Sequence, residues 1–120
     1  MRTYGRRSSA ASPAAAASAS AGEARAAYTQ DALEALDGFD LLLTPTLALV
    51  PPAADVDELA VRESLIRFTY PFNLLGWPAL ALPCGRAEDG LPASAQLVGR
   101  PGTDGLVLAA GAVLEAELKT

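Results

Sequence analysis

The sequence predicts an α/β fold with about three strands and three helices. Two short apolar runs, residues 41–43 and 79–82, have the length of strands and are bounded by charged residues or proline. Helical patterns precede, separate and follow them, and such alternation is typical of α/β proteins. Because both runs are apolar on both faces, each needs cover above and below and strand neighbours at its edges. So few elements cannot supply that cover, which predicts either a piece of a larger sheet or a domain that gains its missing strands from a partner.

The helices are predicted from apolar residues that recur at helical spacing. Gly38 follows the first helix and is a plausible stop. Asp55 and Glu58 have the spacing of an N-terminal capping box at the second helix. Thr103 or Asp104 caps the third. The predicted ranges are residues 23–37, 56–67 and 105–119.

The remaining segments are predicted as a hairpin and loops. A third strand at residues 93–98 pairs antiparallel with residues 79–82, since Asp89-Gly90 between them is a turn signal. Residues 68–76 are predicted as a loop or a single turn broken at Pro71. The Pro51-Pro52 pair excludes regular structure from residues 47–54, which are predicted as a surface loop.

Residues 1–22 are rich in alanine and serine and are predicted as a disordered tail before a folded segment at residues 23–120. Two alternatives stay open for this stretch. Arginines followed by an alanine-rich middle imitate an export or transit signal over residues 1–21, and the reading frame could also begin inside a larger gene. The default compartment is the cytoplasm, which the single Cys84 fits.

Composition excludes several classes of function. The net charge of −5 argues against nucleic acid or an anionic membrane as partner. The chain has no histidine, and its one lysine is Lys119, so a Ser-His-Asp or Cys-His apparatus is impossible within it. No Cys/His cluster predicts a metal site, and no glycine pattern predicts a nucleotide cofactor, so none is expected. Cys84 is interpreted as a small buried apolar residue, because no base is present to activate it.

Three stretches resemble a known family. DLLLTPT, then TYPFNLLGWPALALPCG, then GLPASAQLVGRPGTDGLVLAAGAVLE look like the C-terminal part of the amidase signature family. The resemblance covers residues 24–117. These serine hydrolases of amides include the A subunit of the tRNA-dependent amidotransferases.

The resemblance implies a C-terminal fragment of a large α/β domain, built around a mixed sheet covered by helices. It also implies a serine nucleophile, a second serine and a lysine in a Gly/Ser-rich region upstream of the matched part. Ser8 and Ser9 follow two arginines rather than a glycine-rich lead-in, so neither they nor Lys119 receives a catalytic role. No residue of this chain is therefore assigned as catalytic.

The expected function is the C-terminal part of an amidase, inactive alone, whose partner is an N-terminal amidase portion. A small amide is the expected substrate of the complete enzyme only. Two alternatives are a truncated or degenerate non-catalytic product and an A-subunit-like piece of a tRNA-dependent amidotransferase. A third is an interaction module that adds strands to another protein's sheet.

Three residues are candidates for substrate contact, namely Thr46, Asn73 and Trp77. Each also has a structural interpretation: Thr46 as a hydrogen-bonding loop residue, Asn73 as a loop brace and Trp77 as core. Gln96 lies mid-strand among apolar residues and is interpreted as a brace that needs buried partners. Ile66 stands where glutamine-dependent relatives tend to carry an acidic residue, which favours a general amidase.

Overall fold

The computed structural model describes residues 13–119 and confirms a mixed helix and strand architecture. It contains four helices within that range, one more than the sequence predicts. The elements are α1 (Pro13–Ala35), β1 (Leu41–Pro45), α2 (Glu58–Ile66), α3 (Tyr70–Leu75), β2 (Ala79–Arg86), β3 (Pro92–Gly99) and α4 (Asp104–Leu118).

Helix α1 begins at Pro13, so the predicted start at residue 23 is wrong. Alanine is the strongest helix former, and proline is well suited to the first helical position. Helical propensity therefore extends the helix through residues 13–22, although no α1 residue is buried. Residues 1–12 of the predicted tail lie outside the described residues, and a domain boundary at residue 22 stays a prediction.

Helix α2 begins later than predicted, at Glu58, and its N-cap is Asp57 rather than Asp55. The Oδ1 atom of Asp57 accepts a hydrogen bond from the backbone N–H of Leu59 at 3.1 Å. A carboxylate at the N-cap satisfies an amide that has no partner within the helix. The predicted box is wrong because the helix begins at Glu58, so that Asp57 and not Asp55 directly precedes it.

The short helix α3 lies within the predicted loop at residues 68–76. Pro71 occupies its first turn, where the missing N–H costs nothing, and therefore starts the helix rather than breaking it. The helix ends at Gly76, whose φ of 70° lies in the left-handed region that favours glycine.

The three strands form one sheet in the order β1-β3-β2, with both outer strands antiparallel to β3. The predicted β2–β3 hairpin is therefore confirmed. Gln96 on β3 lies between Thr44 on β1 and Ala81 on β2. The described part of the sheet is wholly antiparallel, whereas the resemblance implies a mixed sheet for the complete domain.

Each outer strand has a free edge. Two hydrogen bonds show which of its residues have backbone groups that point away from β3. Thr46 N–H donates to the Ser94 carbonyl at 3.0 Å, and Gly99 N–H donates to the Pro78 carbonyl at 3.0 Å. Backbone groups alternate along an antiparallel pair. The groups that point away from β3 therefore belong to residues 41, 43 and 45 on β1 and to 79, 81 and 83 on β2. Pro45 and Pro83 lack an N–H, so each free ladder ends at a proline.

The first core cluster joins α4 to one face of the sheet. Val107 of α4 is 3% exposed and packs with the buried Leu82 and Leu97. Gly111 allows α4 to approach β2 closely, because a Cβ there would overlap the side chain of Leu80. Further apolar contacts come from Leu41, Leu80, Ala110 and Leu114.

The second core cluster covers the opposite face of the sheet. Val98 is fully buried and packs with Trp77 and Leu36, which follows the end of α1. Arg100 braces this corner, because its Nη2 donates to the carbonyl of Leu36. Side chains from α1, β1 and α3 complete the cluster, namely Ala32, Leu33, Leu42, Phe72 and Leu75.

Much apolar surface stays exposed around these two clusters. On α4, Leu108 is 61% exposed and Val113 is 66% exposed, although both belong to a strongly apolar helix. A helix that is apolar on all sides is typically buried on all sides.

Candidate functional site

A row of polar side chains lies at the β1–β3 junction, on the sheet face that carries Trp77. Thr44 and Thr46 contribute from the β1 side, and Ser94 and Gln96 contribute from β3. The hydroxyl oxygens of Thr46 and Ser94 are 2.8 Å apart and share a hydrogen bond. Because side chains alternate between the faces of a strand, the four residues lie on one face.

Gln96 is the buried centre of this row, with only 4% of its surface exposed. Its Nε2 donates to the Phe68 carbonyl at 2.8 Å and to Thr44 Oγ1 at 3.2 Å. The side chain therefore fastens the link between α2 and α3 onto the sheet, which confirms its interpretation as a brace.

Replacing Gln96 with leucine is expected to lower the free energy of unfolding by about 1–3 kcal/mol, because it leaves the partly buried Phe68 carbonyl without its donor. Urea denaturation followed by circular dichroism measures the change. Gln30→Leu is the matched control, since the amide of the exposed Gln30 donates to Glu34 on the surface of α1. Equal losses for the two variants would refute the bracing role.

An apolar cavity, here called the loop pocket, lies beside the polar row and has a volume of about 510 Å³. One wall is the loop after β1 and the other is the β2–β3 hairpin. Among residues 13–119 no charged side chain lines it, and half-buried Cys84 belongs to its wall. The lining residues are Leu43, Thr44, Pro45, Leu47, Leu49, Val50, Pro51, Cys84, Ala87, Pro92, Ala93, Ser94 and Ala95.

This site offers neutral polar groups and apolar surface for shaping a cavity. Its polar groups are hydroxyls and an amide, and most of these bond to one another or to backbone. Within residues 13–119 no three His, Cys, Asp or Glu side chains come together as a possible metal site. The arrangement can shape a cavity and exclude water from it. It offers no activated nucleophile.

The three predicted substrate contacts lie in different settings. Thr46 bonds to Ser94, Asn73 is exposed on α3, and Trp77 is 7% exposed within the second core cluster. The packing of Trp77 agrees with its interpretation as core. Substrate contact by any of the three stays a prediction.

Sequence reasoning missed Ser94 and the apolar loop residues that line the pocket. Ser94 carries no local signal, because its importance comes from its pairing with Thr46 across the β1–β3 junction. The alternation of leucine and small residues over residues 47–50 was the available signal for the loop. Its proline pair led to its interpretation as plain surface.

Among the described residues, no helix combines the length and the apolar character needed to cross a bilayer.

Comparison with known proteins identifies the family. The model of the family described as Amidase matches residues 3–108. The putative amidase AmiA2 of Mycobacterium tuberculosis is 37% identical over 87 residues, which cover 67% of this chain and 18% of that protein. The 6-aminohexanoate-cyclic-dimer hydrolase of Paenarthrobacter ureafaciens is 36% identical over 95 residues, covering 68% of this chain and 19% of that protein. This chain therefore spans less than a fifth of either relative.

Solved structures agree with this assignment. A crystal structure of an amidase superposes with a TM-score of 0.72 at 42% identity, covering 78% of this chain and 23% of the other. The structure of a 6-aminohexanoate cyclic dimer hydrolase gives a TM-score of 0.68 at 30% identity, covering 85% and 24%. The A subunit of the glutamyl-tRNA(Gln) amidotransferase of Thermotoga maritima gives 0.61 at 32% identity, covering 78% and 22%. From the family match and these relatives, the chain belongs to the Amidase family.

Proposed function

We propose that this chain forms the C-terminal sheet strands and pocket wall of an amidase that hydrolyses a carboxylic amide. The observation that carries the proposal is the family match, which spans most of this chain but less than a fifth of the full-length relatives. Two free sheet edges and the exposed apolar side of α4 support it, because each needs a neighbour that these residues do not supply.

The catalytic groups of the proposal are a serine nucleophile, a second serine and a lysine carried by an N-terminal amidase portion. The serine attacks the amide carbonyl, the amine leaves, and water hydrolyses the acyl-enzyme. This chain alone is proposed to be inactive. Its part is to keep the polar row and the loop pocket in place beside that machinery, in a reducing cytoplasm that leaves Cys84 free.

A second candidate is an A-subunit-like piece of a tRNA-dependent amidotransferase, which the Thermotoga maritima structure supports. Ile66 favours the first candidate. This residue ends α2 and is 41% exposed, so it offers an apolar surface where a carboxylate would suit an α-ammonium group. A general amide with an apolar body is therefore the preferred substrate class.

A fusion protein tests the proposal. The full 120-residue chain replaces the matching C-terminal segment of the Paenarthrobacter hydrolase, whose N-terminal portion is retained. We expect hydrolysis of the 6-aminohexanoate cyclic dimer by the fusion and none by the N-terminal portion alone or by this chain alone. Amine release measures the rate.

The matched control is a fusion in which residues 1–120 are replaced by a flexible Gly/Ser linker of equal length. A fusion with this chain that unfolds cooperatively yet hydrolyses no cyclic dimer would contradict the proposal. That result would favour a truncated or degenerate product without catalytic function.

A further inference from the structure

We propose that the loop pocket is the docking site for an uncharged, apolar segment of the N-terminal amidase portion. This inference rests on the proposed function, because it takes the missing part of the family domain as the partner. It adds where that part binds and which chemistry the bound segment carries.

The surface chemistry of the pocket selects an apolar occupant. Leu43 is 59% exposed and Val50 is 37% exposed, although both line the cavity. Burying such side chains removes apolar surface from water, which is the main driving force of association. In the described part of the chain, none of the residues that line the pocket carries a charge that could attract or orient a charged segment.

The sheet directs an incoming chain to the same place. A strand could pair along the free edge of β1 as far as Pro45, which has no N–H to donate to it. Pro45 also lines the pocket. A strand along the free edge of β2 likewise finds no N–H donor at Pro83. The next residue, Cys84, belongs to the opposite wall of the pocket. Chain that leaves either ladder at these prolines arrives at the pocket, so the two edges and the cavity form one continuous surface.

A protein segment fits this pocket better than a small molecule does. The volume of about 510 Å³ would accept a small ligand. Such a ligand needs polar groups that fix its orientation, and the hydroxyls present are already engaged. Thr44 accepts from Gln96, and Ser94 shares its hydrogen bond with Thr46. A segment held by the rest of its own chain needs no such groups.

Cys84 makes the inference measurable, because it is the one cysteine in the sequence and lies in the pocket wall. The tagged N-terminal portion of the Paenarthrobacter hydrolase, with its own cysteines replaced by serine, is co-expressed with the full chain and purified. A thiol-reactive chromogenic reagent then labels Cys84 in the complex and in the free chain. We expect labelling to be at least tenfold slower in the complex.

A pair of matched variants tests the contact itself. Val50→Asp places a charge in the pocket and is expected to reduce the amount of chain that co-purifies at least tenfold. Val56→Asp is the control, because Val56 is 39% exposed and lies outside the pocket. It is expected to change recovery less than twofold.

Three results would overturn the inference. They are an absence of co-purification by the parent chain, a complex in which Cys84 reacts as fast as in the free chain, and equal recovery of the two variants. Slower labelling caused by 1-octanol but not by the N-terminal portion would instead assign the pocket to a small ligand. Cyclic dimer hydrolysis by the fusion with an unprotected Cys84 would refute the docking site alone. A protected Cys84 in a fusion without hydrolysis would refute the proposed function alone.

Discussion

Replacing Trp77 with alanine is expected to lower the free energy of unfolding by about 3–5 kcal/mol. The indole is 7% exposed and packs with Leu36 and Val98, where α1, α3 and the sheet meet. Truncation removes its apolar contacts and leaves a cavity among these residues. A loss of this size is a large fraction of a small domain's stability. Urea denaturation followed by far-UV circular dichroism measures it.

Phenylalanine at the same position separates packing from hydrogen bonding. Within the described part of the chain, the Trp77 Nε1 atom is buried and has no hydrogen-bond partner. Trp77→Phe therefore removes no hydrogen bond and keeps most of the apolar volume. We expect it to lose less than half as much stability as the alanine variant. Equal losses for the two variants would contradict this account of the second core cluster.

Replacing Leu97 with alanine is expected to lower the free energy of unfolding by about 2–5 kcal/mol. Leu97 lies on the central strand, paired with Leu43 on one side and Leu80 on the other, and is 7% exposed. Its side chain packs against Val107 of α4, so its removal opens the first core cluster at its centre. The same denaturation experiment measures the change.

Leu108→Ala is the matched control for the Leu97 variant. Leu108 belongs to α4 but is 61% exposed, so its truncation removes little buried surface. We expect a change within about 0.5 kcal/mol, as is usual for surface positions. A loss at Leu108 as large as that at Leu97 would show that the outer side of α4 is already covered in the isolated chain.

Local patterns in the sequence predicted the hairpin and α4 well. The Asp89-Gly90 turn signal of the hairpin and the apolar residues at helical spacing in α4 both depend on neighbouring residues alone. The predicted start of α1 was wrong because the high helix propensity of the alanines in residues 13–22 outweighed the low apolar bulk of that stretch. The α3 helix was missed because Pro71 was interpreted as a break instead of a first-turn residue.

The candidate site was predictable only in part, because it depends on pairing between distant segments. Gln96 could be singled out as a polar residue among apolar neighbours, and burial requires such a residue to be satisfied. Its partners, Thr44 and the Phe68 carbonyl, come from segments that no local pattern links to β3. The antiparallel pairing of β1 with β3 creates the polar row and the loop pocket together. That pairing was not predicted.

The rate of cyclic dimer hydrolysis by the fusion protein tests the central claim most directly. The account predicts measurable turnover when this chain completes the N-terminal portion of the Paenarthrobacter hydrolase, and none when the linker replaces it. Tryptophan fluorescence shows whether Trp77 is buried and the fusion is therefore folded. A folded fusion without turnover would contradict the claim that this chain completes an amidase.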